Sequence, residues 1–273
     1  STPEYTDVLP SLALNVSLSP RQNLRFSASQ TLARPEYREV APIVFRDVIG
    51  TEAVRGNPDL RRALIQNFDA RYELYPRGGE VMSLGVFAKR FQDPIERVFL
   101  ATSGTPLVTF VNARSALVYG MEAEVRRDLD GVAEWLRPVT VFGNLTLVHS
   151  EIEIGDSLSS RINDERAIVG QSPYVVNLGV TYALVDRRMS GTLLFNRFGE
   201  RIVSAAEAPL PDVYERARSS LDLSLRLPLM RGTGVRVDAR NLLDAPFQVT
   251  QGSVVRESYR AGRTFTVGLN WGT

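Results

Sequence analysis

The strongest constraint on this chain is a two-residue alternation of apolar and polar side chains that recurs almost from end to end. The stretch Gly56–Val98 shows it most fully. From Asn67 onward, Phe68, Ala70, Tyr72 and Leu74 fall on one face of an extended segment, while Asn67, Asp69, Arg71 and Glu73 fall on the other. Pro76-Arg77-Gly78-Gly79 reads as a tight turn, because proline presets φ and paired glycines accept the positive φ of a hairpin corner. The return segment repeats the split. Met82, Leu84, Val86 and Ala88 continue the apolar face, and Ser83, Gly85 and Lys89 lie opposite, with Phe87 and Phe91 as bulky exceptions.

The same reading gives about eleven strands in all. Besides the two above they are Ser11–Ser19, Leu24–Ala28, Tyr119–Arg126, Val139–His149, Tyr174–Leu184, Met189–Asn196, Ser220–Leu227, Val235–Arg240 and Arg263–Trp271. No stretch carries a helical period. The connections alternate in length. Pro20–Asn23, Pro76–Gly79, Asp128–Arg137, Asp186–Arg188 and Met230–Thr233 are short, whereas Thr31–Pro58, Asp93–Ser115, Glu151–Gln171, Gly199–Glu215 and Asp244–Ala261 are long. Antiparallel neighbours joined this way place every tight turn at one end of a sheet and every long connection at the other, in an up-and-down meander.

Period two does not say which face looks inward. A soluble sandwich buries its apolar face, whereas an outer-membrane barrel turns that face to lipid around a wet lumen. Soluble strands average about five or six residues and spanning strands need about 9–11, a length several of these reach. The faces opposite the leucines carry Asp69, Arg71, Glu73, Glu122, Glu124, Arg126, Asp222, Arg226, Arg236, Asp238 and Arg240, a charge density suited to a lumen. Tyr72, Tyr182 and Trp271 share the leucine phase toward the tight-turn end, where an aromatic girdle belongs. Composition narrows the field further. The 273 residues carry a net charge of +1 and are 44% hydrophobic, so the chain is ordered and has no basic footprint; with no P-loop or dinucleotide fingerprint, nucleic acid is not an expected partner. The absence of cysteine excludes disulfides, thiolate zinc sites and cysteine nucleophiles. No window approaches the roughly 18 apolar residues of a spanning helix, so a membrane role would use strands.

Several short runs add a resemblance. They are Ala33–Pro42 (ARPEYREVAP), the GNPDL run from Gly56, Phe87-Ala88-Lys89 through Pro94-Ile95-Glu96, Val118-Tyr119-Gly120-Met121-Glu122, Asn241-Leu242-Leu243-Asp244 and the terminal GRTFTVGLNW. In that order and spacing the chain resembles the C-terminal half of a TonB-dependent outer-membrane receptor. The resemblance implies an all-β fold, an antiparallel meander of about 11 long strands forming half of a barrel of about 22. Residues 1–273 are then the C-terminal portion of that barrel, with the plug domain and N-terminal strands absent. It further implies a non-enzymatic receptor in the outer membrane of a Gram-negative bacterium, with no cofactor, that binds a scarce nutrient (siderophore, saccharide or peptide) on its loops and imports it with TonB-coupled energy. Its partners would be outer-membrane lipid, the missing N-terminal half with its plug, the TonB complex acting through that plug, and the small nutrient. A start at Ser1 rather than Met, and an odd strand number where single-chain barrels are even, fit a fragment. The chain departs from the family in having no plug, no TonB box and an end at Trp271-Gly272-Thr273 rather than on an aromatic residue. Such a fragment is not expected to transport by itself, and its terminal strands, Ser11–Ser19 and Arg263–Trp271, are expected to stay unpaired as the edges of an open, curved sheet.

Candidate chemistry is sparse. His149 is the only histidine and stands beside Ser150 and Glu151, which frames the alternative of a self-contained small outer-membrane barrel of about 10–12 strands with hydrolase or pore activity. Without a second placed partner it reads instead as a polar residue at a strand end. Glu151 and Glu153 read as ordinary strand patterning, and Asp156, Asp164 and Glu165 as a solvated loop lacking the spacing of a calcium site. The sequons at Asn15 and Asn144 lie inside strands and read as chance. A soluble carbohydrate-binding β-protein is the third reading. If ligand is bound, the long-connection side must bind it, and Tyr37, Arg38, Phe45 and Arg46 supply the aromatic and cationic groups suited to a sugar, a peptide or an anionic iron chelate.

Overall fold

A computed structural model describes residues 6–46, 53–100, 107–155, 166–206, 209–229 and 232–271. The described residues hold nineteen strands. Eleven form one antiparallel sheet in chain order: β1 (Ser11–Ser19), β2 (Gln22–Ala33), β5 (Ala63–Leu74), β6 (Val81–Gln92), β9 (Ser115–Asp128), β10 (Val139–Glu153), β11 (Tyr174–Leu184), β12 (Met189–Phe198), β15 (Arg218–Pro228), β16 (Thr233–Arg240) and β19 (Thr264–Trp271). These are the segments that alternation marks. Most run further than expected toward the long-connection end, β2 by five residues beyond Ala28 and β10 to Glu153. No ladder joins β1 to β19 among the described residues, so the sheet is open at both edges, as a half barrel requires and a closed small barrel forbids.

Burial settles which face is which. Leu14 is 55% exposed, Leu84 49%, Leu178 53% and Val267 69%, whereas Glu73 on the opposite face is 5% exposed and Asp238 9%. A soluble sandwich would invert this. The polar face is knitted across the strands by its own groups. Glu73 pairs with Arg25 and Arg71, Arg71 with Glu124, and Asn177 bridges Asn144 to Asn196 through hydrogen bonds of 2.7 and 2.6 Å. The outward apolar run of β11, from Tyr174 to Leu184, covers about 25 Å of height at ~3.3 Å per residue and a tilt of about 40°. That matches a hydrocarbon core.

The long connections differ from the expected loops. They hold eight shorter strands: β3 (Val44–Phe45), β4 (Ala53–Arg55), β7 (Ile95–Leu100), β8 (Leu107–Asn112), β13 (Arg201–Ala206), β14 (Val213–Glu215), β17 (Phe247–Gln251) and β18 (Val254–Tyr259). These form a second sheet in the order β18-β17-β14-β13-β7-β8-β4-β3. Two of its ladders are parallel, joining Val98 to Ala205 and Val54 to Val108, and such pairs between distant segments leave no alternation to read. The sheet packs on the inward face of the main one. Val98 and Ala205 bury against Ala116 of β9 and Ile152 of β10, while Val54, Val108 and Ala206 form a second cluster with Phe45 and Phe110.

Local chemistry marks where chain passes between the sheets. Asp93 sits at φ 54° between β6 and β7, its carbonyl accepting from Asn112 and its carboxylate from Arg61 at 2.7 Å. Asn241 and Asp244, both at positive φ, bracket the bend after β16; Asn241 donates to the Gly262 carbonyl and Asp244 accepts from the Gly262 amide. A single helical turn, α1 (Tyr37–Val40), departs from the expectation of no helix. A capping box between Glu36 and Glu39 holds it, a device too short to register as a period.

Candidate functional site

The four residues expected to meet ligand lie around the β3 edge of the second sheet. Arg38 stands 5.3 Å from the centroid of the Phe45 ring, a cation–π pair, and Phe45 is anchored on Val54, Val108 and Ala206. Tyr37 is 94% exposed on α1, and Arg46 is exposed beyond β3. Arg38 and Phe45 thus form one unit, flanked by two groups open to solvent.

A larger constellation stands at the other end of the same sheet, where sequence reading named nothing. Two guanidinium groups stand over the Phe198 ring, Arg201 at 5.2 Å and Arg218 at 5.7 Å from its centroid. Arg218 also approaches Phe247 at 5.8 Å, and Phe247 stacks on Tyr259 with centroids 4.8 Å apart. The assembly follows from register: Phe198 is directly opposite Arg218 in the β12–β15 ladder, and Phe247 is opposite Tyr259 in β17–β18. Phe198 and Arg218 belong to the inward phase shared with Asn196 and Asp222. Ion pairs frame the ladder. Glu215 takes Arg201 at 2.6 Å and Glu200 takes Arg216, but among the described residues no carboxylate pairs with Arg218. A cation without a counter-ion, set between aromatic faces, suits an anionic and planar ligand. The one sequence signal for it was an aromatic residue in a polar phase, as at Phe87; Phe198 falls two residues beyond the strand that alternation assigned.

Buried charge braces the floor between the two ends. The Glu96–Arg166 pair, at 3.0 Å, has side chains 1% and 3% exposed. Burial pushes the Glu96 carboxyl above its usual value, against the pull of Arg166. Asp212 accepts the Ala206 amide at 2.8 Å, and the nearby Tyr214 hydroxyl is raised by burial and then by Asp212 and Glu200.

His149 stands on the outward face, its Nε2 3.1 Å from Glu151 and its ring 5.2 Å from Tyr119. Ser150 points to the opposite face, where its Oγ accepts the Ile168 amide, so strand alternation separates the two residues a hydrolase would need together. Glu153 pairs with Arg114 at 2.6 Å. Asp156, Asp164 and Glu165 lie outside the described residues. Among the described residues there is no group of three or more His, Asp or Glu able to hold a metal, and no helix long and apolar enough to cross a membrane. Asn15 and Asn144 both lie within strands, as expected.

A family model described as TonB dependent receptor-like, beta-barrel, matches residues 1–242. No curated protein matches the chain. Solved structures with the same fold include a variant of the ferric enterobactin receptor PfeA from Pseudomonas aeruginosa in complex with enterobactin, at 17% identity and a TM-score of 0.64. The siderophore receptor PirA from Acinetobacter baumannii aligns at 15% identity and 0.64, and the copper transporter OprC at 16% and 0.67. Each alignment covers 96% of this chain, and 40%, 40% and 39% of those three chains respectively, so the chain spans about two fifths of their length.

Proposed function

The chain belongs to the TonB-dependent receptor β-barrel family, and from that premise we propose that it supplies the C-terminal portion of an outer-membrane receptor that takes up a small anionic iron chelate. The remaining strands and the plug domain then lie N-terminal to it. The two open sheet edges and the two-fifths share of the solved structures support this reading. Uptake would draw energy from the TonB complex acting through the plug, in the outer membrane of a Gram-negative bacterium. The apolar band would meet lipid and the second sheet would meet the nutrient at the extracellular mouth.

The Arg218 ladder carries the choice of ligand. A guanidinium between Phe198 and Phe247, with no carboxylate paired to it among the described residues, favours an anion with flat faces over a neutral saccharide or a peptide. The Arg38–Phe45 unit, with Tyr37 and Arg46, offers a second contact of the same chemistry at the other end of the sheet. Binding of a ferric catecholate chelate to the intact receptor, followed by fluorescence quenching, tests this. Arg218→Ala is expected to weaken binding about tenfold or more, in keeping with loss of a charge-assisted contact. Unchanged binding in Arg218→Ala and Phe198→Ala, or tight binding of a neutral sugar in place of the chelate, refutes the assignment.

A further inference from the structure

The outward face of the barrel carries a second cluster, unrelated to the mouth. Arg197 shares the phase of Leu193 and Phe195 on β12, so its side chain emerges where lipid is expected, one step above the apolar band. A bare guanidinium there is costly unless it meets water or a headgroup. The Arg197 Nε donates to the Tyr174 hydroxyl at 3.1 Å and its Nη1 to Ser219 Oγ at 2.9 Å, and among the described residues no carboxylate pairs with it. Both partners are hydroxyls that accept from Arg197, so each keeps its own proton to donate. The ring of Tyr174 lies against the bare backbone of Gly199, where any Cβ would meet its Cε1 at 2.9 Å, and this fixes the hydroxyl beside Arg197. The result is a convergent set of donors, the free guanidinium N–H groups and two hydroxyls, with the apolar surface of Val176, Leu178 and Phe195 directly beneath.

We propose that Arg197, Tyr174 and Ser219 form a site for the phosphate of an outer-leaflet lipid headgroup, whose acyl chains lie along Val176, Leu178 and Phe195. The inference rests on the membrane-barrel reading. A planar guanidinium fork matches phosphate oxygens in bidentate fashion, and an apolar ledge below the anion distinguishes a lipid from a free ion.

The intact receptor, inserted in phosphatidylcholine vesicles with and without phosphatidic acid, tests this through the lipid retained after gentle extraction, read by native mass spectrometry. Retained phosphatidic acid is expected to fall about tenfold in Arg197→Gln. A smaller loss is expected in Tyr174→Phe, which keeps the ring over Gly199 and so guards against misfolding as the cause. Equal retention in wild type and both variants overturns the proposal. Displacement of the lipid by inorganic phosphate alone overturns the lipid assignment in favour of a free anion. Failure of the wild-type receptor to insert overturns the membrane reading as well, whereas insertion without retention overturns only this site.

Discussion

The ring of Phe142 on β10 lies over the backbone of Gly179 on β11, its directly opposite partner, while the guanidinium of Arg126 covers it at 5.8 Å. Phe87 does the same over Gly120 on the β6–β9 ladder. On an inward face that is otherwise charged, each bulky residue is admitted because the neighbouring strand leaves out a side chain. The three atoms nearest to a methyl at Gly179 all belong to the Phe142 ring, which can swing away, whereas the nearest to one at Gly120 is the Leu147 carbonyl oxygen, which cannot. Gly120→Ala is therefore expected to destabilise the barrel by about 1–3 kcal/mol, and Gly179→Ala by less. Adding Phe142→Leu should rescue Gly179→Ala, and adding Phe87→Leu should not rescue Gly120→Ala. Denaturant midpoints of the four variants in detergent or bilayer decide it.

Leu223 lies between Leu193 and Ala239 on the outward face, and Asp222 faces inward, accepting the Asn241 amide at 2.8 Å. Leu223→Arg should cost about 2–4 kcal/mol of stability in a bilayer if the residue lies near the midplane. Equal quenching of probes at positions 222 and 223 by a brominated lipid would contradict the assigned faces.

The Glu96–Arg166 pair ties β7 to the segment before Ile168, inside the second sheet. Burial raises the Glu96 carboxyl, so its contribution to stability is largest at low pH and is lost as pH rises through the folded value; Arg166 opposes that loss. Removing Arg166 takes the opposition away. Arg166→Met is expected to loosen the sheet by about 3–5 kcal/mol at neutral pH and by less in acid, where Glu96 takes up a proton. Hydrogen exchange at the Val98 and Ala205 amides reads this, and Glu96→Gln added to Arg166→Met should recover most of the loss.

At the tight-turn end Arg77 clamps two hairpins, donating to Glu80 at 2.9 Å and to Asp130 at 2.7 Å. Its hydrogen bonds hold both carboxyls below their usual values. Depressed carboxyls contribute stability that is complete above about pH 4.3 and is lost as pH falls through their folded values. The turns should therefore stay clamped in mild acid and part only below the ordinary carboxylate range. Trp135, exposed on the same connection as Asp130, reports this by fluorescence in a Trp271→Phe background. Arg77→Leu should move the transition up to the pH at which free carboxylates titrate; an unmoved transition would show that Arg77 does not hold the turns.

What the sequence determined by itself was the main sheet: its strands, their order, the end that carries the long connections and the phase of the side chains within the alternating stretches. Alternation is a local property, so Leu221, Leu223, Leu225 and Leu227 declare one face whatever they pair with. Exposure of that face and burial of Glu73 decided that it looks outward, which period two leaves open. The second sheet and the cluster around Arg218 belong to the tertiary structure alone. Its strands are two to six residues long, and Val54 finds Val108, and Val98 finds Ala205, across separations over which no periodicity survives. Phe198, Arg201, Arg218, Phe247 and Tyr259 come from five strands, each unremarkable in its own segment, and only the pairing of β12 with β15 and of β17 with β18 stacks them into one ladder. Arg38 and Phe45, seven residues apart, could be named together from sequence because the chain itself keeps them close.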